Sequence, residues 1–265
     1  MSSQRYGKMF ARLDAANEGA LGAFLMLGDP DADTSLALLT ACVEGGADML
    51  EVGIAFSDPV ADGPVIQAAA DRALAAGMTP QASLDLIAEV RAAHPDVPIG
   101  ILTYANLVVS RGIEAFCRAA TEAGADSLLV ADVPSLEAPR FAAAARAVGL
   151  DPVLIAAPNT GDAALERIAD LGSGYTYCVA RTGVTGQRSD MALDHDALFE
   201  RLRALGAPPP ILGFGISTPE QVRAGIAAGA AGVISGSAIV AAAQGSDDPV
   251  AAVRALVAEL KSGTR

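Results

Sequence analysis

The chain has 265 residues, of which 52% are apolar, and a net charge of −13. That length suits one large domain or two small ones, and the acidity argues against nucleic acid as a partner. No run reaches the roughly 18 uninterrupted apolar residues of a membrane helix.

In chain order, the opening "MSSQRYGKMFARLDAANEG" reads as an amphipathic helix without the apolar centre of a signal peptide. Short apolar strands follow near Gly22–Met26, Met49–Ile54, Ile99–Tyr104, Ser127–Val130, Val153–Ala156, Tyr175–Val179, Ile211–Phe214 and Gly232–Ser235. Helical patterns separate them, as at Ser35–Glu44, Ile113–Ala123, Leu136–Val148, Pro219–Ala228 and Pro249–Lys261. Two more, Val65–Ala75 and Pro80–Ala93, lie between the second and third strands and imply an extra helix. The joints repeat: "EGGADMLEVGI", "EAGADSLLVADVP", "LGSGYTYCVA" and "AAGAAGVISGS" each run from a helix end through small residues into a strand. Eight alternations over this length favour a closed (β/α)8 TIM barrel, one domain over residues 1–265, with an N-terminal helix and extra helices. An open doubly wound sheet is the alternative, but the first strand ends in "LGDP" and no GxGxxG follows it.

In such a barrel the chemistry sits on loops at the carboxyl ends of the strands. Along "LEVGI" side chains alternate, so Leu50, Val52 and Ile54 face the helices and Glu51 faces the lumen. A lumen glutamate could simply pair with an arginine. Alternatively, apolar surroundings raise its pKa towards neutrality and let it carry protons. Asp58 and Asp62 follow in a Pro/Gly-rich loop, where aspartates commonly stabilise turns or cap helices; Asp62 could cap a helix starting near Pro64.

"RTGVTG", "GFGIS" and "SGSAIV" follow strands six, seven and eight. Glycine-rich loops on adjacent strand ends, with Ser237 as a cap for a short helix, can hold a phosphate through backbone amides without any lysine. The only lysines, Lys8 and Lys261, lie off the strands, which argues against a Schiff-base mechanism. His94 and His195, the only histidines, fall at a helix end and a loop-to-helix junction and are expected to be solvated. They are too few for a zinc site of the usual kind. Cys42, Cys117 and Cys178 sit singly in apolar contexts, as buried thiols of a cytoplasmic protein do. What remains is proton transfer by carboxylates on a phosphorylated small molecule.

The runs "LGDP", "LEVGIAFSDPVADGPVIQ", "YANLV", "VADVP", "GYTYCVARTGVTG", "GFGIS" and "GAAGVISGSAIV", in this order along the chain, closely resemble the tryptophan synthase α subunit family. The resemblance runs from the N-terminal helix to about Val240. It implies a lyase that cleaves indole-3-glycerol phosphate to indole and glyceraldehyde 3-phosphate, with no metal or cofactor in this chain. The indole would pass to a pyridoxal-phosphate β subunit within a cytoplasmic α2β2 heterotetramer. Glu51 would be the general acid–base, and Asp62 would bind the indole N–H and stabilise the indolenine-like cation. Gly186, Gly215, Gly236 and Ser237 would hold the phosphate, and Phe24, Leu102, Leu129, Ile155, Tyr177 and Phe214 would wall the indole pocket. Thr185 would orient Asp62, while Asp58 and Asn106 would meet the β partner. Two positions depart from the family pattern: Ala55 stands where most members have proline, and Met26 where threonine is usual. A stand-alone lyase with the same chemistry, or a degenerate regulatory paralogue that binds phosphate ligands, are the competing readings.

Overall fold

The computed structural model describes residues 4–179, 195–213 and 215–265. Strands β1 (Ala20–Met26), β2 (Met49–Gly53), β3 (Ile99–Thr103), β4 (Ser127–Val130), β5 (Asp151–Ala156), β6 (Thr176–Val179), β7 (Pro210–Gly213) and β8 (Gly232–Ser235) form a closed parallel barrel in chain order. Every strand expected from the sequence is there, with ends that differ by one or two residues.

Helix α1 (Gln4–Ala16) precedes the barrel, and α2 (Ala32–Glu44) follows β1. Two helices, α3 (Pro64–Ala75) and α4 (Pro80–Ala93), separate β2 from β3, as the two periodic stretches there require. A short α5 (Ala105–Ser110) and α6 (Ile113–Glu122) lead to β4. Then come α7 (Ala138–Ala147), α8 (Asp162–Leu171), α9 (Asp196–Ala204) and α10 (Pro219–Ala227), followed by α11 (Ser237–Gln244) and α12 (Pro249–Lys261) after β8.

Register decides what enters the lumen. Phe24, Glu51, Gly100, Ser127 and Asp151 are successive partners across β1 to β5, so their side chains point the same way. The alternate residues of β2, Leu50 and Val52, are aliphatic and buried against the helices. That is the usual division of labour in a parallel sheet covered by helices.

The amino-terminal end of the barrel is closed by α1, whose Tyr6, Met9 and Leu13 are buried. Two copies of Gly-Ala-Asp, at 46–48 and 124–126, pin it there. Asp48 accepts from Leu21 N at 2.9 Å and pairs with Arg12 at 2.7 Å and Lys261 at 2.6 Å. Asp126 accepts from Ile99 N at 2.8 Å and pairs with Arg5 at 2.9 Å and Arg91 at 2.6 Å. Each aspartate therefore ties a strand start and a cation of α1 together, and the desolvated carboxylate keeps its charge partners. Lys8 lies on α1 and Lys261 ends α12, so both lysines stand off the strands as expected. All three cysteines are free and buried. Burial pushes the thiols of Cys42 and Cys178 up to about 12 and that of Cys117 up to about 11, which leaves them protonated and unreactive.

Candidate active site

Glu51 is 1% exposed in the lumen. No arginine pairs with it among the described residues; its partner is the Tyr175 hydroxyl, which donates to Oε1 at 2.8 Å. Burial raises its pKa to about 7, the Tyr175 bond opposes the rise, and the Asp62 charge adds to it. A carboxyl that titrates near neutrality can both give and take a proton at physiological pH. Tyr175 precedes β6 and was not singled out from the sequence, although the Tyr-Thr-Tyr alternation puts two phenols on one face.

Asp62 lies in the loop between β2 and α3 and is 8% exposed. It does not cap α3: the N-cap is Gly63, with no side-chain cap bond, and Pro64 occupies the first turn. The carboxylate instead interacts with the Tyr104 hydroxyl, which also accepts from Ala61 N at 3.3 Å. Burial raises Asp62 to about 6, against the Tyr104 hydrogen bond. Two buried carboxyls with raised pKa values, one bearing on the other, can divide acid and charge-stabilising roles. Tyr104 in turn stacks at 5.4 Å on Phe56, which steadies the loop that carries Asp62.

Phe24, Leu102, Leu129, Ile155 and Tyr177 all occupy lumen-facing strand positions; Leu102 pairs with Leu129, and Ile155 with Tyr177. Glycines make room for the rings. A Cβ on Gly213 would stand 2.2 Å from the Tyr177 ring, and one on Gly53 would stand 2.9 Å from Phe24 Cζ. Met26 crowds that glycine too, its Cε 3.0 Å from the same point, so the residue that departs from the family pattern contributes to the pocket wall. Phe214 lies outside the described residues.

Gly215 follows β7 with φ +79°, a conformation that favours glycine. Its loop leads into α10, which opens with a capping box between Thr218 and Gln221. Ser235 Oγ donates to Ile216 O at 2.6 Å and ties this loop to β8. Gly236 and Ser237 are half-buried at the start of α11. Here the expectation needs correction: the N-cap is Gly236, and Ser237 is the first helical residue rather than the cap. The helix begins directly at the end of β8, which leaves one residue, a glycine, to make the bend. Thr185 and Gly186 lie outside the described residues.

Asp58 is exposed on the loop after β2, and Asn106 is exposed on α5, the short helix after β3. Val60 (72% exposed) and Leu136 (69%) rise from the loops after β2 and β4, and Val109 (48%) from α5 after β3, at the same end of the barrel. The histidine expectation holds only in part. His94 ends α4 and is half-buried, but His195 is buried, with Nε2 3.3 Å from Val179 O and its ring 5.7 Å from Phe199. Its place before α9 packs it under the end of β6, which a loop-to-helix junction in the sequence does not disclose. Among the described residues, no group of three or more His, Cys, Asp or Glu is arranged to hold a metal ion. No helix among them is long and apolar enough to cross a membrane.

A family profile described as tryptophan synthase alpha chain matches residues 10–264. The tryptophan synthase alpha chain of Shewanella amazonensis is 52% identical over 258 residues, covering 97% of this chain and 96% of its own length. A tryptophan synthase structure from Mycobacterium tuberculosis superposes with a TM-score of 0.90 at 33% identity, covering 100% of this chain and 99% of that one. The tryptophan synthase subunit alpha of Legionella pneumophila superposes with a TM-score of 0.86 at 31% identity, covering 98% of each chain. These likenesses support the biosynthetic subunit over the stand-alone lyase and the regulatory paralogue.

Proposed function

The chain belongs to the tryptophan synthase alpha chain family, and we propose that it cleaves indole-3-glycerol phosphate to indole and glyceraldehyde 3-phosphate as one cytoplasmic barrel domain. The observation that carries this reading is a buried lumen carboxyl, Glu51, held by a neutral phenol and poised near pH 7, with a second buried carboxyl, Asp62, bearing on it. Glu51 protonates C3 of the indole ring, which weakens the bond to the glycerol chain. Its carboxylate then accepts the proton of the 3′-hydroxyl as that carbon becomes the aldehyde, so the residue ends the cycle in its starting state. Asp62 accepts the indole N–H and opposes the positive charge that C3 protonation creates on the ring.

Phe24, Leu102, Leu129, Ile155 and Tyr177, with Phe214, enclose the indole. Gly215, Gly236 and Ser237, with Gly186, take the phosphate through amides and the start of α11. This suits a chain of net charge −13, because the dianion needs no cationic side chain. Thr185 orients Asp62. The bond changes require only proton transfer, so the chain uses neither metal nor cofactor.

We further propose a β subunit as partner, in an α2β2 assembly with pyridoxal phosphate confined to that subunit. Asp58 on the loop after β2 and Asn106 on α5 stand exposed, with the exposed apolar Val60, Val109 and Leu136 at the same end, and supply a face of the mixed character usual at such contacts. The test is indole release from indole-3-glycerol phosphate by the purified chain, with and without a β subunit, in the presence and absence of EDTA. Activity that rises with the β subunit and ignores EDTA is expected. No indole under any condition, or loss with EDTA that metal restores, refutes the reading.

A further inference from the structure

Gly100 on β3 lies between Glu51 and Ser127 in the barrel register. A Cβ there would stand 2.6 Å from Ser127 Oγ, 2.9 Å from Tyr6 Oη and 3.6 Å from Tyr175 Oη. Three hydroxyls, from β4, α1 and the approach to β6, thus converge over one bare Cα. Tyr6 and Ser127 share a hydrogen bond at 2.8 Å, the Tyr6 and Tyr175 rings are 5.4 Å apart, and Tyr175 donates to Glu51 at 2.8 Å. All four side chains are at most 2% exposed, so water does not replace a hydroxyl that is displaced.

The geometry points to Gly100 as a positioning residue: its missing side chain leaves the slot in which the hydroxyls of Tyr6, Ser127 and Tyr175 gather behind Glu51. The inference rests on the proton-transfer role proposed for Glu51. Its physical basis is space rather than backbone freedom. The Ser127 hydroxyl can rotate away from a methyl group at position 100. The Tyr6 oxygen cannot, because it ends a rigid ring on α1, which Arg5–Asp126 and Arg12–Asp48 fasten to the barrel floor. Displacement therefore passes through the Tyr6–Tyr175 contact to the hydrogen bond on Glu51.

Among the described residues, the groups that bear on Glu51 are acidic or neutral, while the Arg91 guanidinium, paired with Asp126, bears on Tyr6. Tyr175, Tyr177, Tyr6 and Asp62 face Glu51, while Asp126 and Asp151 face Tyr6 from below. With no cation facing Glu51 among the described residues, the Tyr175 bond is what favours its ionised form against burial. Weakening that bond raises the pH at which Glu51 titrates.

The experiment compares wild type, Gly100→Ala and Tyr6→Phe, the last removing one of the three hydroxyls without adding an atom. Each is assayed for kcat and KM across pH, and the Glu51 carboxyl is titrated by carbon-13 NMR, with Glu51→Gln to assign it. For Gly100→Ala, KM should stay within about twofold, kcat should fall about tenfold, and the Glu51 midpoint should rise by about one pH unit. Tyr6→Phe should move the midpoint the same way by less. An unmoved midpoint in both variants overturns the inference. Should Gly100→Ala fail to fold, Tyr6→Phe decides alone: a raised midpoint supports the slot and an unmoved one overturns it. The NMR titration needs no turnover, so a wild type that releases no indole would refute the lyase reading while leaving this comparison to decide the role of Gly100.

Discussion

The Tyr175 hydroxyl donates to Glu51 Oε1 at 2.8 Å, so the lumen carboxyl is held by a neutral phenol from the floor side of the barrel. A guanidinium in that place would have held the carboxyl ionised at neutral pH. A phenol offsets only part of the desolvation, and Glu51 titrates at about 7.

Glu51→Gln is expected to leave the barrel and the binding of glycerol phosphate intact and to abolish nearly all turnover. The amide keeps size and burial but cannot shuttle a proton, and general acid–base catalysis contributes about 10²–10⁴ in rate. Steady-state indole release checks this, and a loss of two- or threefold would remove Glu51 from the proposed role.

The same substitution should alter how stability depends on pH. Glu51 titrates at 4.5 when exposed and at about 7 in the fold, so the folded state holds the proton more tightly. Its stabilising contribution is complete below the lower value and is lost as pH rises through the higher one. Between about pH 4 and pH 8 the wild type should lose about 3 kcal/mol relative to Glu51→Gln. Urea unfolding of both proteins across that range measures the gap, and a constant difference would contradict the buried, raised carboxyl.

The barrel was legible in the sequence because its strands are short, apolar and preceded by joints of glycine and other small residues, a pattern that survives without any tertiary information. Glu51 was legible for a related reason: one charge in the alternation "LEVG" has only the lumen to enter. Its partners were not. Tyr6 and Tyr175 lie 169 residues apart in number yet their tilted rings meet at 5.4 Å, and nothing local in either stretch marks the contact. The cap at α3 went to Gly63 rather than Asp62 for a similar reason. A carboxylate that interacts with Tyr104 across the barrel mouth is unavailable to its own helix, and only the fold brings Tyr104 there.

Asp62→Asn should severely lower turnover, because the charge opposing the ring cation disappears while the shape remains. Tyr104→Phe gives a finer test. The Tyr104 hydrogen bond holds Asp62 below the value that burial alone would set, so its loss should raise the Asp62 pKa above about 6. The pH at which activity falls as Asp62 is protonated should move upward. Equal rates for wild type and Asp62→Asn would end that assignment, and an unmoved profile in Tyr104→Phe would separate Tyr104 from it.

Gly236→Val should weaken both ligand halves, with the phosphate half more affected. A Cβ at 236 would stand 3.2 Å from Phe24 Cδ1, so the larger side chain presses on the indole wall while it obstructs the amides at the start of α11. Calorimetric titration with glycerol phosphate and with an indole analogue distinguishes the two losses. Indole binding weakened more than phosphate binding would move the phosphate site elsewhere.

Ala55 lies two residues beyond the end of β2 and is 6% exposed, at the root of the loop that carries Asp58 and Asp62. Ile54 still bonds to Leu102 O at 3.3 Å, so the chain enters position 55 along the strand's course, as a residue before proline prefers. Proline there would fix φ near −65° and narrow the loop's range. With alanine, the arrangement that presents Asp62 to the indole should be a smaller fraction of the free ensemble, and a partner that binds this arrangement would restore it. Ala55→Pro is therefore expected to raise turnover of the isolated chain and to shrink the additional activation by a β subunit. Four rates decide it, both proteins each with and without the partner. The same fold-activation in both would mean that residue 55 does not set the loop equilibrium.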